Sequence, residues 1–395
     1  MNDRNNIALF SVKSIMMFKF FLRETGVQKR FLPPFCQGDI VDTLESPTGN
    51  AILNLLRSFN GTSGGGMNID LEILMQLQHF RNGIGEIFAD FLLRMTFLAE
   101  TLPVFSIMAV IYWSFNKKLG TFLLMGWSAN RLLNGFLKIT VCAYRPWIRD
   151  DDIEPFGKAK QTATGYSFPS GHSTNAASVY GGAMLWKETP GMLRTLLCIM
   201  IILIPFSRLY LGVHTPQDVL GGIGIGLTVM WLTKMLLQKI EDHPKLDWLV
   251  LGVGITLAIL LAVYAAFKSY PMDYDEKGKL LVDGAKMAKD TFKCVGWSSA
   301  FLIGWFLEKR LIGFSTDVPG SIKATRIAWG MFGYYAVALI LAPLAKDAID
   351  GKAGTVVLCF LQMFYIVFIF PLLFSLFEKL KSRRSIERNG RKTEE

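Results

Sequence analysis

The chain has 395 residues, of which 51% are hydrophobic, and its 42 lysines and arginines outnumber 32 acidic residues to give a formal charge of +10. That hydrophobic fraction is high for a soluble protein, in which apolar residues counted together with glycine reach about 45–50%. The basic residues stand beside apolar segments, as in membrane proteins, and no nucleic-acid-binding motif accompanies them. The composition therefore predicts a polytopic membrane protein, in contact with membrane lipid and without a nucleic acid partner.

The first 85 residues carry no convincing membrane span. The stretch IALFSVKSIMMFKFFL is short and interrupted by two lysines, and NGTSGGGM has the composition of a flexible linker. Residues 67–79 have the apolar spacing of a helix that lies at the membrane interface, and translation from Met67 is an alternative start. We predict that residues 1–85 form an N-terminal segment that is partly flexible or interfacial.

Beyond this segment, nine apolar stretches approach the length of about 20 residues that a transmembrane helix requires. They lie near residues 95–115, 119–139, 169–187, 194–213, 216–237, 248–267, 293–309, 327–346 and 355–378. The stretch at 293–309 is the weakest candidate, because Lys293 and Glu308 bound it closely. The pattern predicts an all-α fold, a polytopic transmembrane helix bundle.

Lysine and arginine favour one set of loops, which the positive-inside rule assigns to the cytoplasmic side. The residues on that side are Lys117, Lys118, Lys187, Arg194, Lys234, Lys239, Lys245, Lys309, Arg310, Lys323 and Arg326, followed by the tail KLKSRRSIERNGRK. The loops at 140–168, 268–292 and 347–354 and the turn at 214–215 then lie outside. We predict an integral protein of the plasma (cytoplasmic) membrane with a cytoplasmic C-terminus.

Three polar stretches occur at helix ends that this topology places together on the outer face. They read KITVCAYRP at 138–146, PSGH at 169–172 and SRLYLGVHTPQD at 207–218. Ionisable residues at the edge of a membrane segment are costly and therefore indicate function. We predict that the three stretches form one site.

The residue types in these stretches suit a phosphate group. Lys138, Arg145 and Arg208 supply three cations, and a guanidinium fork matches phosphate oxygens. Ser170 and Gly171 open a helix, where unpaired backbone N–H groups and the helix dipole attract an anion. The set predicts a receptor for a phosphate dianion or for a phosphoryl transition state.

Two histidines complete the constellation. Thr215 and Pro216 are a favourable N-cap and first residue of a helix, which puts Asp218 in its first turn. The Asp218 carboxylate can hold one ring nitrogen of His214 and leave the other as a nucleophile. His172 is a candidate general acid for the leaving oxygen. No acidic cluster suited to a metal accompanies these residues, so we predict neither a metal nor a cofactor.

Arg131, Asn134 and Lys138 are spaced by three and four residues and share one helix face. We interpret Arg131 as part of a buried polar stripe that joins helices. The alternative is a polar path that leads inward from the site.

The three polar stretches together resemble the three-part signature of the type 2 phosphatidic acid phosphatase (PAP2) family, whose superfamily also contains vanadium haloperoxidases and acid phosphatases. The matching positions are Lys138, Arg145, Pro146, the PSGH stretch, Ser207, Arg208, His214 and Asp218. The resemblance covers roughly residues 95–240 and implies a helical-bundle core, a phosphohistidine on His214 and protonation of the leaving group by His172. It further implies that the phosphate is bound by Lys138, Arg145, Ser170, Gly171 and Arg208.

This resemblance divides the chain beyond residue 85 into three parts. Residues 86–240 are predicted to be the PAP2-type catalytic core, and residues 241–380 are predicted to be additional transmembrane helices. Residues 381–395 are predicted to be a basic cytoplasmic tail. The resemblance says little about the parts outside the core.

The predicted function is that of an integral-membrane phosphatase that hydrolyses lipid phosphate or diphosphate monoesters at the outer face, without a metal. A lipid phosphotransferase would use the same site with another acceptor, and a lipid-phosphate transporter would bind the same ligand without turnover. The membrane spans argue against vanadate-dependent haloperoxidase chemistry. Phospholipid phosphates and isoprenoid diphosphates both fit the predicted site, and the sequence defines neither the lipid chain nor the oligomeric state.

Overall fold

A computed structural model describes residues 69–341 and 351–381, which form a succession of helices with an isolated β-bridge between Tyr274 and Leu280. The predictions for residues 1–68 and for the tail from residue 382 lie outside the described residues. The helices are α1 (Ile69–Ile84), α2 (Glu86–Thr96), α3 (Thr101–Val110), α4 (Lys117–Val141), α5 (Gly171–Ala176), α6 (Gly191–Tyr210), α7 (Pro216–Asp242), α8 (Leu246–Phe267), α9 (Gly284–Leu311), α10 (Gly320–Ala336) and α11 (Gly351–Phe364). Short 3₁₀, π or α turns prolong five of them. With these turns, α2 ends at Ala99, α3 at Phe115, α5 at Leu185, α10 at Leu341 and α11 at Lys381.

Five of the described helices, α6, α7, α8, α10 and α11, are long and apolar enough to cross a membrane. The pair α2 and α3 makes a sixth candidate, bent by 54° at its break. Along the most apolar part of α8 only 22% of the residues are buried, so most of its side chains face outward. Outward apolar surface of this extent marks a membrane-facing surface.

Three of the predicted spans differ from these helices in length or in environment. Both α4 and α9 are long, but they run inside the bundle and carry polar residues there. The Trp127 ring of α4 lies 4.7 Å from the ring of Phe105 and 5.8 Å from that of Trp297 on α9. Helix α5 ends at Leu185 and is shorter than the roughly 20 residues that a full span requires.

The prediction of an all-α, polytopic transmembrane bundle with additional C-terminal helices is confirmed. Helix α9 joins the two parts of the bundle, because it packs against α4 on one side and against α8 and α11 on others. The hydroxyl of Ser298 on α9 donates to the carbonyl of Ser128 on α4 at 2.9 Å. The division of the chain into separate domains stays a prediction.

Local capping determines where the polar stretches lie. Helix α4 ends at Val141, and its C-cap Cys142 has a left-handed φ of 52°, which turns the chain out of the helix. Helix α7 begins at Pro216 after the N-cap Thr215. The Thr215 hydroxyl accepts from the N–H of Asp218, and the Asp218 carboxylate accepts from the N–H of Thr215. This capping box fixes the turn that carries the preceding residues.

Helix α1 lies against α6 and the loop at 140–168 instead of standing apart from the bundle. Leu71 and Leu74 of α1 are buried with Ile153 of the loop. The Arg81 guanidinium donates to the carbonyls of Tyr210 at 3.1 Å and Glu154 at 2.9 Å. The helix predicted for residues 67–79 is therefore present from Ile69 onward. Part of its apolar surface packs in the protein, while Ile73 and Phe80 stay exposed.

Candidate active site

One cavity of about 430 Å³ opens between the helix ends described above. Four of the predicted site residues line it with their side chains, namely Lys138 from the last turns of α4, Arg145 from the following loop, His172 from the first turn of α5 and His214 from the turn before α7. Gly171 also lies on the wall. Residues that are far apart in the sequence therefore share one enclosed space.

His214 is 2% exposed and lies between an acid and a guanidinium. Its Nε2 atom is 2.8 Å from Nη1 of Arg145, and its Nδ1 atom is 3.4 Å from Oδ2 of Asp218. Because Asp218 can only accept at this position, the network assigns the ring proton to Nδ1 and the lone pair to Nε2. Burial, and then the charges of Arg145, Lys138 and Arg208, holds the pKa of His214 well below its usual value near 6.5. The imidazole is thus neutral and nucleophilic at neutral pH.

The Asp218 carboxylate is buried and accepts several hydrogen bonds through one oxygen. Its Oδ2 atom accepts from the Thr215 N–H at 2.8 Å and from the Ser167 hydroxyl at 2.5 Å. The Ser167 hydroxyl is also 3.4 Å from Nδ1 of His214. The capping box and the serine together hold the carboxylate beside the imidazole, which agrees with the orienting role predicted for Asp218.

Backbone carbonyls hold the Arg145 guanidinium in place. It donates to Gly165 O at 2.9 Å, to Val213 O at 2.9 Å and to Thr164 O at 3.2 Å. Burial lowers the pKa of Arg145 to about 10, and the charge of Asp218 works in the opposite direction. Arg145 is therefore a positive charge at neutral pH, and it ties the two loops of the site together.

Lys138 and Arg208 differ in how far their donors are used. The Lys138 ammonium donates to Tyr166 O at 2.9 Å and to Pro169 O at 3.2 Å. Arg208 is fully buried and has one bond, a weak one of 3.4 Å to the Thr162 hydroxyl, while its Nε and Nη1 atoms have no partner within the described residues. A buried guanidinium with unused donors calls for an anion, which agrees with a phosphate ligand.

His172 and Ser170 stand at the start of α5 and have different surroundings. The Nε2 atom of His172 is buried without a hydrogen-bond partner among the described residues, on a side chain that lines the cavity. Ser170 is the fully buried N-cap, and its hydroxyl accepts from the Ser173 N–H at 3.4 Å and the Ser173 hydroxyl at 2.9 Å. The Ser170 hydroxyl therefore caps the helix as an acceptor. Both of these bonds leave its own O–H able to donate, so the role of Ser170 as a phosphate ligand stays a prediction.

The structure adds residues that sequence reasoning passed over. Ser167 contacts the Asp218 carboxylate, and its only signal was its place just before the PSGH stretch. The Asn134 amide donates to the Thr174 hydroxyl at 3.1 Å, in agreement with a polar stripe that joins helices. Arg131 of that stripe also lines the cavity, which agrees with the alternative of a polar path that leads inward from the site.

Helix α9 contributes a further part of the wall, which no sequence motif indicated. Its cavity-lining residues are Met287, Asp290, Thr291, Lys293, Cys294 and Trp297. The polar stretches precede them by many residues along the chain. Only the packing of α9 against α4 brings them to the site.

Fold and site together define a polytopic, all-α membrane protein with a buried cationic cavity between its helix ends. Residues 118–242 match the sequence model of the PAP2 superfamily, and residues 292–383 match that of the PAP2 superfamily phosphatase, transmembrane extension. The chain belongs to the PAP2 superfamily, as the sequence signature predicted.

Three relatives show where the similarity lies. Phosphatidylglycerophosphatase B of Bacillus subtilis is 36% identical over 130 residues, which are 31% of this chain and 60% of that protein. Undecaprenyl-diphosphatase of Sulfolobus acidocaldarius is 28% identical over 134 residues, 33% of this chain and 63% of that protein. Lipid phosphate phosphatase delta of Arabidopsis thaliana is 24% identical over 202 residues, 48% of this chain and 47% of that protein.

The chain thus spans about three fifths of the length of the first two relatives. Among solved structures, the crystal structure of the first transmembrane PAP2 type phosphatidylglycerolphosphate phosphatase from Bacillus subtilis is similar. The two proteins are 24% identical in sequence, and the matched region covers 57% of this chain and 96% of that chain. The superposition has a TM-score of 0.36.

Proposed function

We propose that this protein is an integral-membrane phosphatase that hydrolyses lipid phosphate or diphosphate monoesters through a phosphohistidine on His214. The observation that carries the proposal is the arrangement of His214, whose lone-pair nitrogen faces a cavity that it shares with His172, Lys138 and Arg145. The names of the relatives, which refer to phosphatidylglycerophosphate, undecaprenyl diphosphate and lipid phosphates, support the substrate class.

In the first step, the Nε2 lone pair of His214 attacks the phosphorus atom. The bond from phosphorus to the lipid oxygen breaks, and protonated His172 donates a proton to that oxygen. Burial and the nearby cations hold the pKa of His172 well below its usual value in the free protein, so the negative charge of the bound phosphate is what protonates it. The Arg145 hydrogen bond to Nε2 has to move to a phosphate oxygen before the attack. The Asp218 carboxylate stabilises the positive charge that forms on the His214 ring.

In the second step, His172 is neutral and accepts a proton from a water molecule. The water oxygen attacks the phosphorus, the phosphorus–nitrogen bond breaks, and its electron pair returns to His214. Inorganic phosphate leaves, and both histidines regain their starting protonation. Lys138, Arg145 and Arg208 neutralise the phosphate charge in both steps, so the proposed mechanism needs no metal.

A panel of lipid phosphates and isoprenoid diphosphates, assayed with and without a chelator, tests this function. We expect inorganic phosphate to appear without any added acceptor, and the rate to be unchanged in chelator. Release that requires an added lipid or glycan acceptor would favour a phosphotransferase. Strict dependence on Mg²⁺, or no release from any member of the panel, would contradict the proposal.

The proposed location of the site is the extracytoplasmic face of the plasma membrane, with a cytoplasmic C-terminus. The opposite end of the bundle supports this orientation, because its cavity of about 830 Å³ is lined by five lysines, which the positive-inside rule places in the cytoplasm. These are Lys117, Lys118, Lys187, Lys234 and Lys309.

Labelling of introduced cysteines by a membrane-impermeant maleimide tests the orientation. Lys279 is exposed in the loop at the site end, and Lys245 is exposed between α7 and α8 at the other end. We expect intact cells to label Lys279→Cys above the level of the parent chain and Lys245→Cys only after permeabilisation. The reverse pattern would place the site in the cytoplasm.

A further inference from the structure

The transmembrane extension forms part of the proposed catalytic cavity. The wall supplied by α9 runs from Met287 to Trp297, outside the 118–242 segment that carries the PAP2 signature. Contact between the two parts is close, because the position that a Cβ atom would take on Gly135 lies 3.4 Å from the Cys294 sulfur. The extension is therefore placed to contact whatever the cavity holds.

Arg131 is a cation of this cavity that the proposed phosphoryl transfer does not use. Its guanidinium carbon lies 5.6 Å from the rings of both Trp127 and Trp297, so the side chain is held between α4 and α9. Its Nε atom is buried without a hydrogen-bond partner among the described residues. Cation–π contacts hold a guanidinium without using its N–H donors, which leaves those donors available to an anion.

The position of Arg131 relative to the first turn of α5 shows which side of the cavity it serves. The place that a Cβ atom would take on Gly171 is 4.0 Å from Nη1 of Arg131. Gly171 directly precedes His172, the proposed acid for the leaving oxygen. Arg131 therefore lies beside the helix start that carries the proposed acid.

Lys293 adds a second cation on α9. Its ammonium is 2.6 Å from Oδ1 of Asp290, and the two side chains are 40% and 34% exposed. An exposed ion pair of this kind contributes little to stability and can exchange its partner for a ligand. Both residues line the same cavity as Arg131.

We propose that Arg131 and Lys293 form a second anionic subsite that receives the lipid-proximal phosphate of a diphosphate substrate, an assignment that rests on the proposed phosphatase function. Lys138, Arg145 and Arg208 hold the distal phosphate that His214 attacks. The bond between the distal phosphorus and the bridging oxygen then breaks, and the lipid monophosphate leaves with that oxygen and its electron pair. Arg131 and Lys293 neutralise the charge that this leaving group gains.

The subsite predicts for which substrate each variant loses activity. Geranylgeranyl phosphate and geranylgeranyl diphosphate have the same lipid chain and differ by one phosphate, so they isolate the second subsite. In the full-length protein we expect Arg131→Gln to lower kcat/KM for the diphosphate about tenfold or more, since a hydrogen bond to a charged group is lost, and for the monophosphate by less than threefold. Lys293→Gln should show the same preference to a smaller extent.

Lys286→Gln is the matched control, because Lys286 lies on α9, is exposed and is not among the cavity-lining residues. A second measurement avoids turnover of the lipid diphosphate. Methylenediphosphonate, which cannot be hydrolysed, should inhibit Arg131→Gln more weakly than the parent protein, and inorganic phosphate should inhibit the two equally.

The outcomes are distinguishable. If the parent protein hydrolyses both lipids and the variants lose the same factor in kcat/KM for both, the second subsite is overturned and the proposed function stands. If the parent protein hydrolyses neither of these lipids but releases phosphate from another lipid phosphate, the diphosphate subsite is overturned and the proposed function stands. If it releases phosphate from no lipid phosphate or diphosphate, the function fails and the subsite fails with it. Should Arg131→Gln fail to fold, Lys293→Gln still decides, because that side chain is half-exposed and equal losses there contradict the subsite.

Discussion

His214→Ala is expected to abolish phosphate release while the protein still folds and inserts. The imidazole is the proposed nucleophile, and removing a nucleophile from a unit of this kind lowers the rate by about 10⁴-fold or more. Its packing role is small by comparison, because Arg145 and Asp218 keep other hydrogen bonds when the ring is gone. The measurement is kcat for release of inorganic phosphate from a lipid phosphate, with size-exclusion chromatography in detergent to confirm the fold.

His79→Ala is the matched control for this variant. His79 is exposed on α1 and does not line the cavity, so its loss should leave kcat unchanged. Reactions stopped with alkaline detergent, because the phosphorus–nitrogen bond of a phosphohistidine is labile in acid, should give labelled parent protein and unlabelled His214→Ala when the transferred phosphate carries ³²P. Turnover by His214→Ala within a few fold of the parent rate would refute the phosphohistidine mechanism.

His172→Ala is expected to lose activity according to the leaving group of the substrate. General acid catalysis contributes about 10²- to 10⁴-fold, and a loss in this range is expected with a lipid alkyl phosphate. The loss in kcat/KM with 4-nitrophenyl phosphate should be much smaller, because nitrophenolate leaves without a proton and kcat/KM does not include the later step in which His172 accepts a proton from water. The buried and unpartnered Nε2 of His172 beside the cavity motivates this assignment.

The comparison of kcat/KM for the two substrates separates this role from a purely structural one. A misfolded site would lose both activities to the same extent, so equal losses contradict the acid role. His243→Ala serves as the control, because His243 is exposed at the end of α7, far from the first turn of α5. It should turn over both substrates at the parent rate.

Much of the fold was predictable because membrane helices are recognisable from their local composition. The apolar stretches at 216–237 and 248–267 correspond to α7 and α8, whose outward faces meet lipid. The same reasoning was less successful for α4 and α9. Their neighbours in the bundle shield their polar residues from lipid, so hydropathy alone does not show that these helices lie inside the bundle.

Much of the candidate site was also predictable, because its positions lie within short local motifs. Thr215, Pro216 and Asp218 form the turn and cap that their residue types favour, and that cap places His214 beside its acid. Ser170 was predicted as a phosphate ligand from its place at a helix start. In the structure its hydroxyl accepts from Ser173 as the N-cap, and its role as a phosphate ligand stays a prediction.

The sequence by itself determined the class of the protein, the helical architecture and the identity of the histidines, cations and acid that define the PAP2 signature. Those properties follow from hydrophobicity, helix capping and ionisable side chains, which act over a few residues. Only the tertiary structure decided that Arg131 faces the cavity and that Asp290 and Lys293 of α9 complete its wall. Contacts between distant helices depend on how whole faces pack, with Trp127 and Trp297 closing around one guanidinium, and no local pattern encodes that arrangement.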